Sequence, residues 1–214
     1  MTVKLIAITK PTIEGCSTAE ELVAYCARVS NPANQNNHTT SAKLVRYLIN
    51  NQHWSPLEMV HLVMEITTTR DIARQILRHR SFSFQEFSQR YADPTQDLGF
   101  VNREARLQDQ KNRQNSIEVD DENLQLKWEL TQIDLRAKAV DAYNWAINAG
   151  IAKEQARAVL PEGMTVSKMY MAGSLRSWVH YCDLRRSNGT QKEHQEIAEN
   201  CWDIVLEQFP MLSN

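Results

Sequence analysis

The chain has 214 residues, of which 42% are hydrophobic and 23% are charged, and its formal net charge is −2. This size and composition are typical of one globular domain with a substantial core. A net negative charge argues against a protein that coats nucleic acid, because such domains usually carry a positive surface. The arginines are therefore expected to act locally, inside a site.

Cysteine usage and hydropathy indicate a reducing compartment. No two cysteines form a C-x-x-C pair, so neither a structural zinc site nor any other metal site is predicted. Met1 is followed at once by a strand-like segment, and no apolar run reaches membrane-spanning length. We therefore expect a cytoplasmic protein without an export signal, whose free thiols are Cys16, Cys26, Cys182 and Cys201.

The first half of the chain alternates strands and helices. Residues 3–9 alternate β-branched side chains and predict a strand. A capping box at residues 18–21 opens a helix, and the Asn-rich residues 31–37 form a loop. Apolar residues at helical spacing around 44–49 predict a second helix. Residues 59–69 have the strongest strand pattern of the chain.

The second half is predicted to be mainly helical. A short helix at 70–78 precedes a polar, irregular surface excursion at 93–120. A long amphipathic helix at 121–149 ends at Gly150 in the position that favours glycine. Further elements are a helical turn at 152–160, a strand at 164–171, and helices at 174–186 and 191–209. The sequence thus predicts an α+β fold, with a small mixed or antiparallel sheet packed with long helices, in a single domain of residues 1–214 with a helical elaboration.

Residues 78–91 read RHRSFSFQEFSQRY and combine cationic, aromatic and acidic side chains. A protein core would exclude three arginines, and a solvated face would exclude three phenylalanines. The mixture suits a planar, anionic, partly aromatic ligand such as a nucleotide. Between residues 45 and 110 the chain has no lysine, although a solvated face normally mixes the two basic residues. This favours bidentate contacts to phosphate or carboxylate by Arg46, Arg70, Arg74, Arg78, Arg80, Arg90, Arg103 and Arg106.

Three alternatives to a nucleotide site remain open at this point. The cations at 78–80 could simply offset the negative end of the preceding helix. Ser88 could be the nucleophile of a hydrolase with His79 as its base, although arginine-rich surroundings suit anion binding better. The segment could also bind single-stranded nucleic acid by stacking bases on Phe82, Phe84, Phe87 and Tyr91.

Two further clusters carry polar side chains suited to a pocket. The hexapeptide HWSPLE at 53–58 contains a proline that forces an extended or turn geometry, which places its polar residues at a pocket edge or at a capped strand entry. Arg176, His180 and Arg185 follow each other at helical intervals. The six glycines are scattered, and neither G-x-G-x-x-G nor a P-loop is present. A nucleotide must therefore be held by side chains and subunit edges.

The spacing R-H-R, seven residues, then Ser88 resembles the signature of the flavin-dependent thymidylate synthases. Nearly the whole chain shares the resemblance. The matching blocks are H-x-S-P-x-E at 53–58, A-R-Q at 73–75, Q-E-x-S-x-R-Y at 85–91, A-R-x-x-L-P at 156–161 and residues 176–185. Residues 111–116 and 187–191 resemble a branch of the family found in viruses as well as bacteria, which would place the protein in a host cytoplasm if it is virus-encoded.

The resemblance implies a homotetramer whose FAD sites are assembled from several subunits. It implies reductive methylation of dUMP to dTMP, with 5,10-methylenetetrahydrofolate as one-carbon donor and NADPH as reductant through FAD. It also removes the need for the cysteine nucleophile that the folate-only thymidylate synthases use, because the cofactor carries the hard step. It implies no nucleic-acid or membrane partner.

The resemblance also assigns roles to individual residues. Arg185 would face the uracil edge and stabilise charge that develops there, Ser88 would contact the nucleotide, and His53 would border the flavin and folate pocket. The residues expected to hold dUMP are Gln75, Arg78, Glu86, Phe87, Ser88, Gln89, Arg90, Arg157 and Arg185. The residues expected to contact FAD are Ser55, Glu58, Arg78, His79, Arg80, Ser174 (with Gly173 as an alternative), His180 and Leu184.

Overall fold

The computed structural model describes residues 1–213 and has the α+β architecture that the sequence predicts. Its strands are β1 (Thr2–Ile8), β2 (His61–Thr69), β3 (Ser83–Glu86), β4 (Arg106–Gln108), β5 (Ser116–Glu118) and β6 (Val166–Ser174). Its helices are α1 (Ala19–Ala27), α2 (Ser41–Asn50), α3 (Arg70–Ile76), α4 (Pro94–Asp97), α5 (Glu122–Asn148), α6 (Lys153–Ala156), α7 (Leu175–Arg185) and α8 (Lys192–Gln208).

The main sheet has four strands in the order β1-β2-β6-β3, and every described pair is antiparallel. The central pair, β2 and β6, runs in register from His61 opposite Ser174 to Thr69 opposite Val166. Alternate side chains of β2 are buried, as expected for a sheet with one covered face. The strand pattern that the sequence shows most clearly therefore forms the centre of the sheet.

The hydrophobic core lies between this face of the sheet and the helices α7 and α8. Leu62, Met64 and Ile66 of β2 contribute fully buried side chains, and Trp178 of α7 packs among them. The indole Nε1 of Trp178 donates to the carbonyl oxygen of Leu62 at 3.2 Å, which satisfies its polar atom inside the core. This packing fixes α7, and with it Arg185, relative to the sheet.

Local signals at two helix ends are confirmed. The Thr18 side chain accepts from the backbone N–H of Glu21, and the Glu21 carboxylate reaches back to the backbone of Thr18, which completes the capping box of α1. Gly150, just after α5, has φ of 82°, the left-handed conformation that glycine adopts without steric cost. No helix within residues 1–213 has the length and apolar composition needed to cross a membrane.

Two segments differ from the sequence prediction. The polar excursion at 93–120 contains α4 and the β4–β5 hairpin, because the Asp109 carboxylate accepts from the backbone N–H groups of Lys111 and Asn112 and so fixes a turn. Strand β6 begins and ends later than residues 164–171. Ser174 is its last residue, and the Ser174 hydroxyl also caps α7 by accepting from Ser177 N.

The segment at residues 78–91 contains a strand that the sequence prediction did not include. Residues 83–86 form β3, which pairs with β6 from Ser83 opposite Ala172 to Glu86 opposite Met169. The edge position explains the mixed composition of this segment, since an edge strand is only partly covered. The pairing holds the motif against the centre of the sheet.

Helix α5 is less amphipathic in the fold than its sequence pattern suggests. Of its 27 residues, those buried within the chain are Gln132, Ala139, Tyr143 and Ala146. Large apolar side chains are exposed along most of its length, namely Leu126, Trp128, Leu130, Ile133, Leu135 and Trp145. An exposed apolar surface of this size is typical of a protein–protein contact.

Candidate active site

Arginines from α3 and from the turn after α6 line one cavity of about 260 Å³. Arg70, Arg74 and Arg157 contribute the cationic groups, Gln89 contributes an amide, and Glu154 and Glu162 contribute carboxylates. Arg74 is ion-paired with Glu162 and Arg70 with Glu86, which leaves Arg157 as the lining arginine without a carboxylate partner among residues 1–213. Gln89 is 4% exposed, and its Nε2 has no hydrogen-bond partner within residues 1–213. Buried amide donors are nearly always paired, so this donor is an unusual feature of the turn beside the cavity. The cavity therefore suits an anion with several acceptor oxygens.

Ser88 and Arg90 shape the turn that carries Gln89. The carbonyl oxygen of Ser88 accepts from the backbone N–H groups of Tyr91 and Ala92, at 3.1 Å in both cases, and its hydroxyl accepts from Arg90 N at 3.4 Å. The Arg90 guanidinium lies 3.2 Å from the Glu154 carboxylate, and Arg157 Nε donates to the Glu154 backbone oxygen at 3.3 Å. The structure thus brings Arg90 and Arg157 together at Glu154, which lines the cavity.

Glu86 and Phe87 join this turn to the centre of the sheet. The Glu86 carboxylate accepts from the Ser167 hydroxyl at 2.6 Å and lies 3.5 Å from Arg70 Nη1. Phe87 is half-buried, and its backbone N–H donates to the carbonyl oxygen of Lys168 at 2.8 Å. Arg70 and Arg74 are among the arginines whose usage favours anion contacts, but they were not assigned to the nucleotide or cofactor site, although Arg70, Arg74 and Arg78 follow each other at intervals of four on the predicted helix.

Gln75 lies in a second hydrogen-bonded group, between α3, α7 and α8. Its Oε1 accepts from His194 Nδ1 at 3.3 Å, and its Nε2 donates to Gln191 Oε1 at 2.9 Å. With Nδ1 donating, His194 Nε2 accepts from the Tyr181 hydroxyl at 3.2 Å. Burial, with smaller contributions from Arg185 and His79, lowers the pKa of His194 to about 3, so the ring is neutral at pH 7.

His79 and Arg185 form a direct pair beside this group. Arg185 Nε donates to His79 Nε2 at 2.9 Å, and the imidazole packs edge-on against Tyr181 with ring centroids 4.9 Å apart. Burial, followed by the Arg185 charge, lowers the pKa of His79 to about 4. The neutral imidazole therefore accepts the Nε proton of Arg185 and fixes the direction of its guanidinium.

The turn at 53–58 packs against the beginning of α7. The Glu58 carboxylate accepts from Arg176 at 2.8 Å, and the Ser174 hydroxyl, then the Arg176 guanidinium, lower the pKa of Glu58. Trp54 packs edge-on against His180 with centroids 4.4 Å apart. The structure thus joins two stretches of sequence that are far apart, each of which carries predicted cofactor-binding residues.

Several predicted contacts are exposed, and Ser174 is not. The exposed side chains are those of His53, Ser55, Arg78, Arg80, His180 and Leu184. Ser174 is 3% exposed, and its hydroxyl is used for capping, so only its backbone remains for a ligand. A Cβ on Gly173 would lie 2.4 Å from the Phe82 ring, so packing against Phe82 explains the glycine at this position.

The site residues thus fall into three local groups within one chain. The first surrounds the arginine cavity, the second contains Gln75, His79 and Arg185, and the third is the turn at 53–58 with the start of α7. Helix α3 joins the first two groups, since it carries both Arg70 and Gln75. No hydrogen bond or ion pair of the described chain joins the third group to the cavity.

The geometry argues against a serine hydrolase, and of the aromatic rings considered for base stacking it leaves Tyr91, at 83% exposure, accessible. The ring of Phe82 packs against Trp178 with centroids 4.8 Å apart, and Phe84 also packs against the core, so neither ring is free to stack a base. The hydroxyl of Ser88 has no histidine partner in the described residues, and the Nε2 atom of His79 is bound by Arg185. A serine nucleophile would lack its base.

These contacts define an α+β protein with an arginine-lined site for an anion beside a neutral histidine. A family model described as "Thymidylate synthase complementing protein" matches residues 12–211. A "Probable flavin-dependent thymidylate synthase" of Paramecium bursaria Chlorella virus 1 is 49% identical over 213 residues, which cover 100% of this chain and 97% of that protein. A "Flavin-dependent thymidylate synthase" of Synechocystis is 48% identical over 216 residues, covering 100% and 98% of the two chains.

One solved structure is similar over nearly the whole chain. It is a UMP/dUMP methylase, PolB, from Streptomyces cacaoi bound with 5-Br UMP, at 25% identity and a TM-score of 0.80, covering 98% of this chain and 90% of that chain. The chain belongs to the thymidylate synthase complementing protein family. The resemblance seen in the sequence is confirmed.

Proposed function

We propose that the chain is a flavin-dependent thymidylate synthase. It methylates dUMP reductively to dTMP, using 5,10-methylenetetrahydrofolate as one-carbon donor and NADPH as reductant through FAD. Family membership and the names of the two relatives support this activity. The structural observation that carries the proposal is the arginine-lined cavity of about 260 Å³.

The cavity fits the phosphate and ribose of dUMP. Arg157 and Gln89 supply donors from two segments, and Arg90 joins them through Glu154. Ser88 holds the turn on which Gln89 lies, so its role is to position the amide and contact the nucleotide. Glu86 and Phe87 tie this turn to β6. Guanidinium groups bind phosphate oxygens in a bidentate manner, which gives orientation as well as affinity.

Arg185 and Arg78 serve the base of the nucleotide. The only hydrogen bond of the Arg185 guanidinium within residues 1–213 is the one from Nε to His79, so both terminal NH₂ groups remain available. They would stabilise negative charge on the uracil edge. Gln75 is held by His194 and Gln191, and it completes the nucleotide-facing side of α3. Arg78 is exposed and follows α3, between the nucleotide and the cofactor.

FAD contacts come from the 53–58 turn, the R-H-R segment and α7. Ser55, Arg80 and Leu184 are exposed. Their side chains are therefore free to contact a cofactor or another subunit. Glu58 stays ionised through Ser174 and Arg176, and it fits a ribose or an amide donor of the cofactor. Bound FAD supplies the hydride chemistry. His53 borders this surface, where its imidazole would orient the folate.

The thiol chemistry of the chain supports the flavin route over a cysteine nucleophile. Burial raises the pKa of all four cysteines, so none is poised as a thiolate at neutral pH. Cys182 is fully buried on α7, one residue after Tyr181, and it is not among the residues that line the arginine cavity. The absence of a disulfide among the four thiols also fits the cytoplasm, or the host cytoplasm if a virus encodes the protein.

The apolar surface of α5 supports a homotetramer with sites at subunit interfaces. Six large apolar side chains of this helix are exposed in one chain, and covering them would remove a large apolar area from water. The exposed FAD-contact residues would then meet another copy. Folate binding and the tetrameric state are both parts of the proposed function.

The decisive experiment is a visible spectrum of the purified protein followed by a product assay. We expect flavin absorption that bleaches on anaerobic addition of NADPH. We also expect dTMP only when dUMP, methylenetetrahydrofolate and NADPH are all present. A protein that binds no flavin after incubation with FAD, or that forms no dTMP under these conditions, would contradict the proposal.

A further inference from the structure

Three potential metal ligands that have no assigned role in the candidate active site meet at the beginning of α1. Cys16 lies just before the helix, Glu21 lies in its first turn, and His38 begins the turn between α1 and α2. One ligand atom from each residue lies within 4.8 Å of the other two. The Cys16 side chain is buried at 7% exposure, so the cluster is shielded from solvent on that side.

His38 is the residue that the fold alone leaves unexplained. Both ring nitrogens are buried, and neither has a hydrogen-bond partner within residues 1–213. A neutral imidazole carries one donor and one acceptor, so burying both without partners costs free energy. Gly15 offers no side chain here, and an added Cβ would lie 3.9 Å from His38 Nε2. Residue 15 therefore leaves this nitrogen without a side-chain partner.

The capping box accounts for only part of the cluster. Glu21 Oε2 accepts from Ser17 N at 2.7 Å, from Ser17 Oγ at 2.8 Å and from Thr18 N at 3.0 Å. These bonds use one carboxylate oxygen and require neither Cys16 nor His38. The Cys16 sulfur has only a weak contact, 3.8 Å from the Thr18 carbonyl oxygen. A thiol, an imidazole nitrogen and a carboxylate oxygen therefore remain available at one place.

We propose that Cys16, Glu21 and His38 bind one Zn²⁺ ion, with water in the fourth position. A thiolate, an imidazole and a carboxylate form a donor set that zinc accepts, and the soft sulfur ligand disfavours Mg²⁺ and Ca²⁺. A tetrahedral zinc ion holds its ligand atoms roughly 3.5 Å apart, so side-chain rotations suffice to close the site. Binding releases the thiol proton of Cys16 to solvent, while His38 binds in its neutral form.

The site would act as a structural clip. The ion would tie the segment before α1 to the turn before α2, two stretches that lie on either side of an asparagine-rich loop. Because the ion binds the folded chain and not the unfolded one, it stabilises the fold by an amount that grows with the free Zn²⁺ concentration. The sequence did not signal it, because the three ligands are irregularly spaced and contain no C-x-x-C pair.

The test is equilibrium dialysis of the tag-free flavoprotein against Zn²⁺, with metal analysis and zinc-edge X-ray absorption. We expect one tightly bound ion per chain with one sulfur ligand at about 2.3 Å, and a Zn²⁺-dependent rise in the unfolding temperature. Cys16→Ser and His38→Ala should lose the ion and the rise. Cys26→Ser is the matched control on the same helix and should retain both.

Glu21→Gln separates metal binding from helix capping, because glutamine also completes a capping box. We expect the variant to keep its helix content and to bind Zn²⁺ at least ~10-fold more weakly. Wild-type protein with no bound zinc, or with zinc that has no sulfur ligand, overturns the proposal without any variant. Unchanged affinity in Cys16→Ser, His38→Ala or Glu21→Gln also overturns it.

Discussion

Arg157 and Gln89 are the residues whose surroundings report most directly on a ligand. Arg157 lines the cavity, and its Nε is anchored to the backbone of Glu154, which leaves its terminal groups for an anion. Gln89 offers a buried donor with no partner in the described chain. A phosphate would offer acceptor oxygens and negative charge to the free terminal groups of Arg157.

Replacing Arg157 with alanine is expected to weaken dUMP binding while FAD remains bound. The loss of one charge-assisted contact corresponds to about 1.5–3 kcal/mol, or roughly 10- to 100-fold in affinity. Titration of dUMP against the flavin spectrum measures it. Arg113→Ala, in the exposed turn of the β4–β5 hairpin, is the matched control. Equal dUMP affinity in the two variants would remove Arg157 from the site.

Some residues of the site could be predicted from the sequence, whereas others could not. Arg90 and Arg157 belong to sequence blocks that resemble the family, and the structure brings them together at Glu154. Arg70 and Arg74 belong to the arginines whose usage favours anion contacts, but the sequence did not assign them to the site, because only the fold shows their shared cavity. The pair between His79 and Arg185 depends on α7 packing beside α3, which the sequence does not encode locally.

At the scale of elements, helix ends and the central strands follow local rules, whereas edge elements depend on tertiary contacts. The capping box and Gly150 could be read directly, because they act within a few residues. The β4–β5 hairpin was missed because its polar sequence predicts a loop. Arg106 anchors it through an ion pair with Glu193 of α8, a contact that joins distant parts of the chain.

Gly150→Ala is expected to destabilise the end of α5 by backbone strain alone. An added Cβ would have nothing within 4 Å, but φ of 82° is costly for alanine. We expect a loss of about 1 kcal/mol in the free energy of unfolding, measured by chemical denaturation. Gly163→Ala is the control, since Gly163 has no positive φ and its nearest neighbour would be 3.8 Å away. Similar losses in both variants would contradict the strain argument.

At the scale of the whole molecule, two buried histidines make the fold sensitive to acid. The pKa of His79 is lowered to about 4 and that of His194 to about 3, mainly by burial, from an ordinary value of 6.5. The unfolded chain therefore binds protons first as the pH falls. Their contribution to stability is complete above pH 6.5 and is lost progressively as the pH falls towards 4 and then 3.

We expect the free energy of unfolding to decrease between pH 6.5 and pH 4 by an amount on the order of 2 kcal/mol for each histidine. Urea denaturation at a series of pH values measures this slope. His194→Gln keeps a polar group beside Tyr181 without the titration, so its slope should be smaller. A variant that retains the full wild-type slope would show that His194 does not contribute.

The proposed tetramer rests on the exposed apolar surface of α5. The exposed apolar residues of α5 form two stripes, one with Leu126, Leu130 and Ile133 and the other with Trp128 and Leu135. If another chain covered only one face of α5, the apolar stripe on the other face would stay exposed to water. The sequence pattern predicted an amphipathic helix correctly in part, but it could not distinguish burial inside one chain from burial between chains. The single-domain reading of residues 1–214 stays a prediction.

Leu130→Lys is expected to dissociate the assembly, because it places a charge in an apolar contact. Sedimentation velocity would detect a shift towards a smaller species together with loss of flavin. Lys127→Glu is the control, since Lys127 is exposed between the two stripes on the same helix. An unchanged mass for Leu130→Lys would exclude this stripe from the interface.

Strand β6 also holds Glu86 and Glu58 apart, since the two residues lie at its opposite ends. It supports Glu86 through Ser167 at one end and meets Glu58 through Ser174 at the other. The seven steps between these serines span roughly 23 Å at the usual rise of a strand. If the two ends serve different pockets, co-expressed Arg157→Ala and Glu58→Ala chains will form mixed particles that regain turnover neither parent possesses. If the mixed particles stay inactive, each pocket is built from both ends of β6 of the same chain.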